Sequence, residues 1–91
     1  MGHIASDKDR LLARVRRIAG QVAAIEKAIA GDAGCAAVLH QVAGVRGAIG
    51  GLMDGLIEDH LREHVAHPDL TDAERRAGAE ELIAVVRRYA R

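Results

Sequence analysis

The chain has no phenylalanine, no tryptophan and a single tyrosine among its 91 residues. Its apolar content therefore comes mainly from alanine, valine, isoleucine and leucine, which suit helix–helix seams better than a compact aromatic core. A domain of this length buries only a modest share of its surface. We therefore expect its apolar helices to be covered by further copies of the same chain.

The chain also has only one cysteine, one proline and no net charge. Cys35 is the only cysteine, which excludes an internal disulfide and favours a reducing, cytoplasmic setting. Lysine plus arginine equal aspartate plus glutamate at 13 each, so the overall charge predicts no particular partner. No secretory signal pattern opens the chain, and no apolar run approaches the roughly 20 residues of a membrane span. We therefore expect no membrane partner.

The periodic pattern predicts one all-α domain over residues 1–91. Its predicted parts are an arm at 1–5 and helices at about 6–30, about 32–66 and about 71–90. Ser6 is the expected N-cap of the first helix, Gly31 its left-handed C-cap, and Asp32 the N-cap of the second. Pro68 excludes further helix, and Thr71-Asp-Ala-Glu74 is a capping box that opens the third. The short first loop predicts that helices one and two are antiparallel neighbours.

The middle helix carries an apolar stripe with candidate metal ligands in line with it. The stripe has 4,3 spacing and comprises Val38, Val42, Val45, Ile49, Leu52 and Leu56. His60 continues this spacing, and His64 lies one turn further along the same face. Two histidines four residues apart on a helix can share a transition-metal ion. The same spacing is also common among solvated and core histidines, so the pair alone decides little.

Cys35 would complete a ligand set of one thiolate and two imidazoles for a borderline transition metal. It lies 25 residues before His60, which is about 37 Å along one straight helix. No ion bridges that distance, so a shared site needs the cysteine of another chain. An antiparallel homodimer brings the start of one copy's helix to the end of the other's, and makes two equivalent sites. The crossing would fall near residue 48 or 49, where small residues cluster: Gly47, Ala48, Gly50 and Gly51. The alternative for Cys35 is a buried small apolar residue.

Other residues are secondary candidates for the same site. His3 lies on the N-terminal arm, which could fold over a metal. Gly2 is small enough for removal of the initiator methionine, which would expose an α-amine as a further nitrogen ligand. Glu63 is a candidate oxygen ligand, although it points about 100° away from the neighbouring histidine. We interpret His40 as structural or exposed and His67 as a loop residue.

The first helix carries a basic patch that is a candidate for binding nucleic acid. Within ten residues it contains Lys8, Arg10, Arg14, Arg16 and Arg17. Arg10, Arg14 and Arg17 share one face at 4,3 spacing, where they can bind phosphates through charge. A charge run of this kind is more often a solvated helix face, but repetition of the patch four times in a tetramer would shift the balance towards DNA binding. No helix-turn-helix pattern or aromatic stacking platform is present, so readout through groove shape is expected.

Several sequence blocks together resemble the CsoR/RcnR/FrmR family of small all-helical bacterial transcriptional repressors. They are R-V-R-R-I-x-G-Q at 14–21, G-D-A-x-C at 31–35, H-Q-V-A-x-V-R-G-A at 40–48, G-L-M at 51–53 and D-H-L-R-E-H at 59–64. The resemblance implies a three-helix protomer that forms an antiparallel four-helix-bundle dimer and then a dimer of dimers. It also implies that the metal-free homotetramer binds operator DNA and releases it when an effector binds. Arg14, Arg17 and Arg46 are the DNA contacts that it implies.

The resemblance further distinguishes between effectors. Cys35, His60, His64 and, on the arm, His3 match the inducer positions of the nickel- and cobalt-sensing branch. Copper(I) sensors carry a second cysteine at the position of His64, and persulfide sensors need two cysteines. Formaldehyde sensors use the cysteine that matches Cys35 together with a proline at position 2, where this chain has Gly2.

The sequence thus predicts a metal-responsive repressor that is released from DNA by Ni(II) or Co(II), with Zn(II) as a further candidate. Release would derepress a metal-efflux or detoxification gene. No catalytic constellation is visible, so we expect no enzyme. Two alternatives stay open: a formaldehyde-responsive repressor with Cys35 as its nucleophile, and a metal-storage or chaperone bundle without a DNA function.

Overall fold

The computed structural model describes residues 8–89, which form three α-helices and no strand over that range. The helices are α1 (Lys8–Ala30), α2 (Cys35–His64) and α3 (Asp72–Tyr89). The predicted all-α protomer of three helices is therefore confirmed. The chain divides into two compact units, one of residues 8–54 and one that begins at Gly55. The predicted arm at 1–5 and the Ser6 cap lie outside the described residues.

The turn after α1 differs from the prediction in the residue that adopts the left-handed conformation. Asp32 has a φ of 59°, and no described glycine has a positive φ. The N–H of Ala33 donates to the carbonyl of Ala28 at 2.9 Å, and that of Asp32 donates to Ile29 at 3.1 Å. This pair of bonds is a Schellman motif with Asp32, and not Gly31, at its left-handed position. Aspartate is among the few residues other than glycine that tolerate this conformation.

Because Asp32 ends the first helix, it does not cap the second, and its predicted N-cap role is wrong. The carbonyl of Gly34 accepts the first helical bond, from the N–H of Val38 at 3.2 Å. Gly34 is therefore the N-cap, and Cys35 is the first residue of α2. Helix α2 spans residues 35–64. It begins three residues after the predicted start and ends two residues before the predicted end.

The apolar stripes of the unit formed by residues 8–54 divide into two sets, each with a seven-residue repeat. The first set is buried or half-buried and comprises Leu11, Ile18, Ile25, Val38, Val45 and Leu52. The second set remains 44–59% exposed and comprises Val15, Val22, Ile29, Val42 and Ile49. Both helices therefore carry an apolar face that the protomer itself leaves uncovered.

Helix α3 begins with the predicted capping box. The N–H of Thr71 donates to Oε1 of Glu74 at 2.8 Å, and the N–H of Glu74 donates to Oγ1 of Thr71 at 3.1 Å. These reciprocal bonds satisfy two N–H groups at the helix start, which confirms the box. The backbone N–H of Thr71, and then its side chain, lower the pKa of the Glu74 carboxyl below its usual 4.5.

An arginine of α3 organises the loop that follows α2. Nη1 of Arg75 donates to the carbonyl of Val65 at 2.6 Å and to that of His67 at 3.3 Å, and Nη2 donates to Leu70 at 3.2 Å. Three backbone carbonyls beyond the end of α2 thus receive hydrogen bonds from one guanidinium group. The last turn of α2 and the first turns of α3 are thereby fixed to each other.

Helix α2 is both long and rich in apolar residues. By length and composition it is able to cross a membrane, with a mean hydropathy of 1.2 over its qualifying 18-residue window. The expectation concerned uninterrupted apolar runs, and it is not contradicted, because polar and charged side chains such as Gln41 and Arg46 interrupt α2. A helix that packs against other helices meets the same test, because both environments select long apolar stretches.

Candidate functional site

His60 and His64 lie together in the last two turns of α2. Both side chains are half-buried, and their ring centroids are 5.0 Å apart with an angle of 42° between the planes. Helix geometry produces this pairing, because residues four apart lie one above the other on the same face. The structure therefore brings two of the predicted metal ligands together.

Helix α3 holds the ring of His60. Its Nε2 lies 2.8 Å from the carbonyl oxygen of Gly78, and Oε1 of Glu81 lies 3.9 Å from the same nitrogen. A carbonyl oxygen only accepts hydrogen bonds, so Nε2 is the donor and the lone pair of a neutral ring lies on Nδ1. Ligating histidines commonly donate their other N–H to a carbonyl or carboxylate, which fixes the tautomer and the ring orientation. The arrangement at His60 fits that pattern.

Gly78 also sets the distance between α3 and the end of α2. It is buried, and a Cβ added there would collide with the carbonyl group of His64 and approach its Cβ. Only glycine fits this close approach. Gly78 thus contacts both histidines through its backbone. Gly78 is not among the residues predicted from the sequence, although a glycine inside an otherwise helical pattern is a signal of close backbone approach.

Cys35 occupies the opposite end of the same helix. Its thiol is exposed and free. Among residues 8–89, no three histidine, cysteine, aspartate or glutamate side chains are grouped so that they could hold a metal ion. Glu63 lies half-buried in the last turn of α2. The two remaining candidates, Gly2 and His3, lie outside the described residues. The metal set therefore stays a prediction that needs more than one protomer.

The other two described histidines are placed as the sequence predicted. His40 is exposed on α2. His67 lies in the loop, where its Nδ1 accepts a hydrogen bond from the N–H of Asp69 at 3.1 Å. Neither is grouped with His60 and His64, so neither joins the candidate site.

Asp59 is a buried carboxylate next to the candidate site in the chain, and it was not among the residues predicted from the sequence. Its side chain is only 1% exposed, directly before His60 in the chain. Asp59 follows Leu52 by seven residues and so continues the buried set of α2. A carboxylate at an inward position of an apolar repeat is the signal that would have identified it. Burying a carboxylate is costly unless it is paired, so Asp59 departs from the apolar character of the repeat that it continues.

The candidate DNA-contacting residues differ in exposure. Lys8, Arg10, Arg16, Arg17 and Arg46 are exposed. Arg14 is half-buried, because its Nη1 donates to the carbonyl of Gly51 on α2 at 2.6 Å. Both residues border a cavity of about 300 Å³ between α1 and α2. Gly51 therefore has a contact within the protomer, whereas Gly47 and Gly50 have open space where a Cβ would be.

Comparisons with known proteins agree on one family. The family model described as metal-sensitive transcriptional repressor matches residues 7–88. The transcriptional repressor RcnR of Citrobacter koseri is 40% identical over 89 residues, which cover 98% of each chain. A protein from Serratia marcescens described as an uncharacterized protein in the bioA 5' region is 48% identical over 89 residues, with the same 98% coverage of both chains.

A solved structure has the same fold. It is a variant of the formaldehyde-responsive regulator FrmR from Salmonella enterica serovar Typhimurium in which a glutamate is replaced by histidine. It is 43% identical to this chain, with a TM-score of 0.86, and the match covers 92% of this chain and 94% of the other. The family model, the curated relatives and the fold all lead to the same assignment. This chain belongs to the metal-sensitive transcriptional repressor family, whose members are DNA-binding regulators and not enzymes.

Proposed function

We propose that this protein is a cytoplasmic repressor that binds operator DNA as a homo-oligomer and releases it when a divalent transition metal binds. Nickel and cobalt are the preferred effectors, with zinc as a further candidate. The regulated gene would encode metal efflux or detoxification. The family assignment supports repression and metal sensing in general, and the residues of this chain support the finer proposal.

The uncovered apolar face of α2 carries the proposal for the assembly. Cys35, Val42 and Ile49 follow one another at seven-residue intervals, and all three are exposed. His60 lies three helical turns after Ile49 and thus on the same face by spacing. A second copy that covers this face in antiparallel orientation, centred near Ile49, places its His60 beside Cys35 of the first. We propose this antiparallel four-helix-bundle dimer, with two equivalent sites, and its further pairing into a tetramer.

The ligand set of each site favours nickel, cobalt or zinc. Cys35 of one protomer would supply a thiolate, and His60 and His64 of the other would supply imidazoles. One thiolate with several nitrogens suits these ions better than copper(I), which prefers two thiolates. His60 would ligate through Nδ1, because its Nε2 donates to the Gly78 carbonyl. His3, with the α-amine of Gly2 or the carboxylate of Glu63, would complete a higher coordination number.

The bound metal would act as a crosslink between the helix ends of two protomers. Its ligands belong to opposite ends of α2, so coordination fixes those ends relative to each other and recruits the N-terminal arm. The arm leads directly into α1, whose exposed basic residues include Arg10 and Arg17. Recruitment of the arm would move α1, and this would change the distances between the basic residues of neighbouring protomers. The basic residues bind DNA only when their spacing matches that of the phosphates. The metal-bound form would therefore dissociate from DNA.

Fluorescence anisotropy with the chain's own upstream region, measured without metal and then with Ni(II), Co(II), Zn(II) or Cu(I), tests this function. We expect tight binding without metal and release by nickel or cobalt. Cys35→Ala should bind DNA normally and lose the response to metal. His40→Ala, which changes an exposed histidine on the same helix, is the matched control and should respond normally. Metal binding by a wild-type chain that never binds DNA would contradict the proposal and indicate a storage bundle.

A formaldehyde-responsive repressor is the second candidate, favoured by the structural likeness to the FrmR variant and by the exposed thiol of Cys35. The thiolate would add to the aldehyde carbon, and a nearby amine would then condense with the adduct, releasing water and leaving a methylene bridge. Mass spectrometry after formaldehyde treatment distinguishes the two functions. A gain of one carbon atom that joins Cys35 to the N-terminal arm, with loss of DNA binding, would establish this candidate.

A further inference from the structure

One basic side chain of α1 is positioned by the backbone of α2. The Nη1 of Arg14 donates to the carbonyl oxygen of Gly51 at 2.6 Å across 37 residues of chain. A Cβ added to Gly51 would lie 3.2 Å from that same Nη1, a tight contact that the guanidinium would have to relieve by shifting a few tenths of an ångström. The absence of a side chain at position 51 thus leaves the guanidinium uncrowded beside the carbonyl. Arg14 is half-buried, whereas the neighbouring basic residues are exposed.

The positioned guanidinium borders a cavity with the character of an anion site. The cavity has a volume of about 300 Å³ and is lined by Arg14, Arg17, Ile18, Gln21, Ala48 and Gly51. No acidic side chain of the described residues is among those that line it. Arginine has five N–H donors, so one bond to Gly51 leaves the others available to a ligand. Two guanidinium groups and the amide of Gln21 in one concave site suit a phosphate group.

We infer that this cavity receives one phosphate of the DNA backbone, and that Gly51 is a positioning residue that holds Arg14 for this contact. The inference rests on the proposed DNA-binding function and deepens it, because it assigns Gly51 and Gln21 to the DNA interface. A guanidinium that is already hydrogen-bonded to the protein loses less freedom when it binds than an arginine on a solvated surface. The contact also links α1 to the middle of α2, the helix that carries the candidate metal ligands.

Gly51→Ala tests the inference in the full-length protein. The added methyl group crowds Nη1 and weakens its bond to the carbonyl, and we expect DNA affinity in anisotropy to fall by about 3- to 10-fold. The slope of log affinity against log salt should fall by about one for each protomer that contacts DNA. Gly20→Ala is the matched control, because it makes the same change at an exposed position of α1 with open space around it. It should leave affinity and slope unchanged.

A double-mutant cycle shows whether Gly51 acts through Arg14. Arg14→Ala should weaken binding at least as much as Gly51→Ala, and adding Gly51→Ala to Arg14→Ala should change the affinity no further. In the wild type, the side-chain N–H signals of Arg14 in NMR should show slowed exchange that Gly51→Ala abolishes. Additive losses in the double variant would overturn the inference. So would a Gly51→Ala protein that binds DNA with wild-type affinity and slope.

Two further experiments test the proposed DNA-binding function and the identity of the bound phosphate separately. Failure of the wild type to bind its operator would overturn the proposed function itself, and this inference with it. A free phosphate has the same chemistry as a backbone phosphate, so inorganic phosphate is titrated against the wild type at constant ionic strength. Binding only in the millimolar range supports the DNA backbone as the ligand. Micromolar binding that Arg14→Ala abolishes would overturn the assignment to DNA.

Discussion

Gly78 is the residue on which the geometry of both candidate metal-binding histidines depends. Its carbonyl accepts a hydrogen bond from Nε2 of His60, and its missing side chain allows α3 to lie against the backbone of His64. Neither contact survives if α3 moves away from α2. The residue therefore supports the site without being a ligand.

Gly78→Ala should weaken metal binding and destabilise the fold together. The new Cβ collides with the His64 carbonyl and forces α3 away, at a cost of about 1–3 kcal/mol in the free energy of unfolding. Metal affinity should fall, since His60 loses the group that orients its ring. Calorimetric titration and thermal unfolding measure both effects. Gly20→Ala on α1, outside the proposed dimer crossing, is the control, and it should be neutral or stabilising, because nothing lies within 4 Å of a Cβ there. Unchanged metal affinity in Gly78→Ala would show that α3 does not position His60.

At the scale of single elements, the start of α3 makes a pH-dependent contribution to stability. The pKa of Glu74 is lowered from 4.5 by its bonds with Thr71, so the folded state binds the Glu74 proton less readily than the unfolded chain does. This stabilisation is complete above pH 4.5 and is lost as the pH falls through the lowered pKa of the folded protein.

Glu74→Gln isolates that contribution, because glutamine forms the same capping bond without a titrating group. We expect the melting temperature of the wild type to fall more steeply than that of Glu74→Gln as the pH is lowered below 4.5. Thr71→Ala should lower stability by about 1 kcal/mol at neutral pH through loss of the N-cap. Parallel pH profiles of wild type and Glu74→Gln would contradict the role assigned to the carboxylate.

Features that depend on residues close together in the chain could be predicted from the sequence, whereas contacts between different helices could not. The capping box at Thr71 and the pairing of His60 with His64 follow from residues three or four apart, so the sequence contains them directly. In the Gly31-Asp32 turn, the prediction assigned the left-handed conformation to Gly31, whereas Asp32 adopts it. Both residue types tolerate this conformation, so their identities alone do not show which of them the helix-ending hydrogen bonds select. The contacts of Gly78 and Arg75 depend on which residues of α3 meet the end of α2. No spacing within one helix specifies that.

At the scale of the whole molecule, the uncovered apolar face predicts self-association. Ile49→Asp places a charge in the middle of the exposed stripe of α2, and the proposed dimer would have to bury that charge twice. We expect the dimer to dissociate at concentrations where the wild type remains assembled, as measured by analytical ultracentrifugation. Ala43→Asp introduces the same charge on the same helix outside the stripe, and it should assemble normally. Wild-type assembly of Ile49→Asp would show that this face is not the seam.

Mixed oligomers test the central claim most directly, because each proposed metal site takes Cys35 from one protomer and His60 from its partner. Cys35→Ala and His60→Ala proteins should each fail to give the thiolate-to-metal absorption band with Co(II) or Ni(II). After the two proteins are unfolded and refolded together, each heterodimer contains one complete site. The absorption band should then return with up to half of the intensity per dimer that the wild type gives. Native mass spectrometry verifies that heterodimers have formed. No recovery of the band in verified heterodimers would contradict a site shared between protomers.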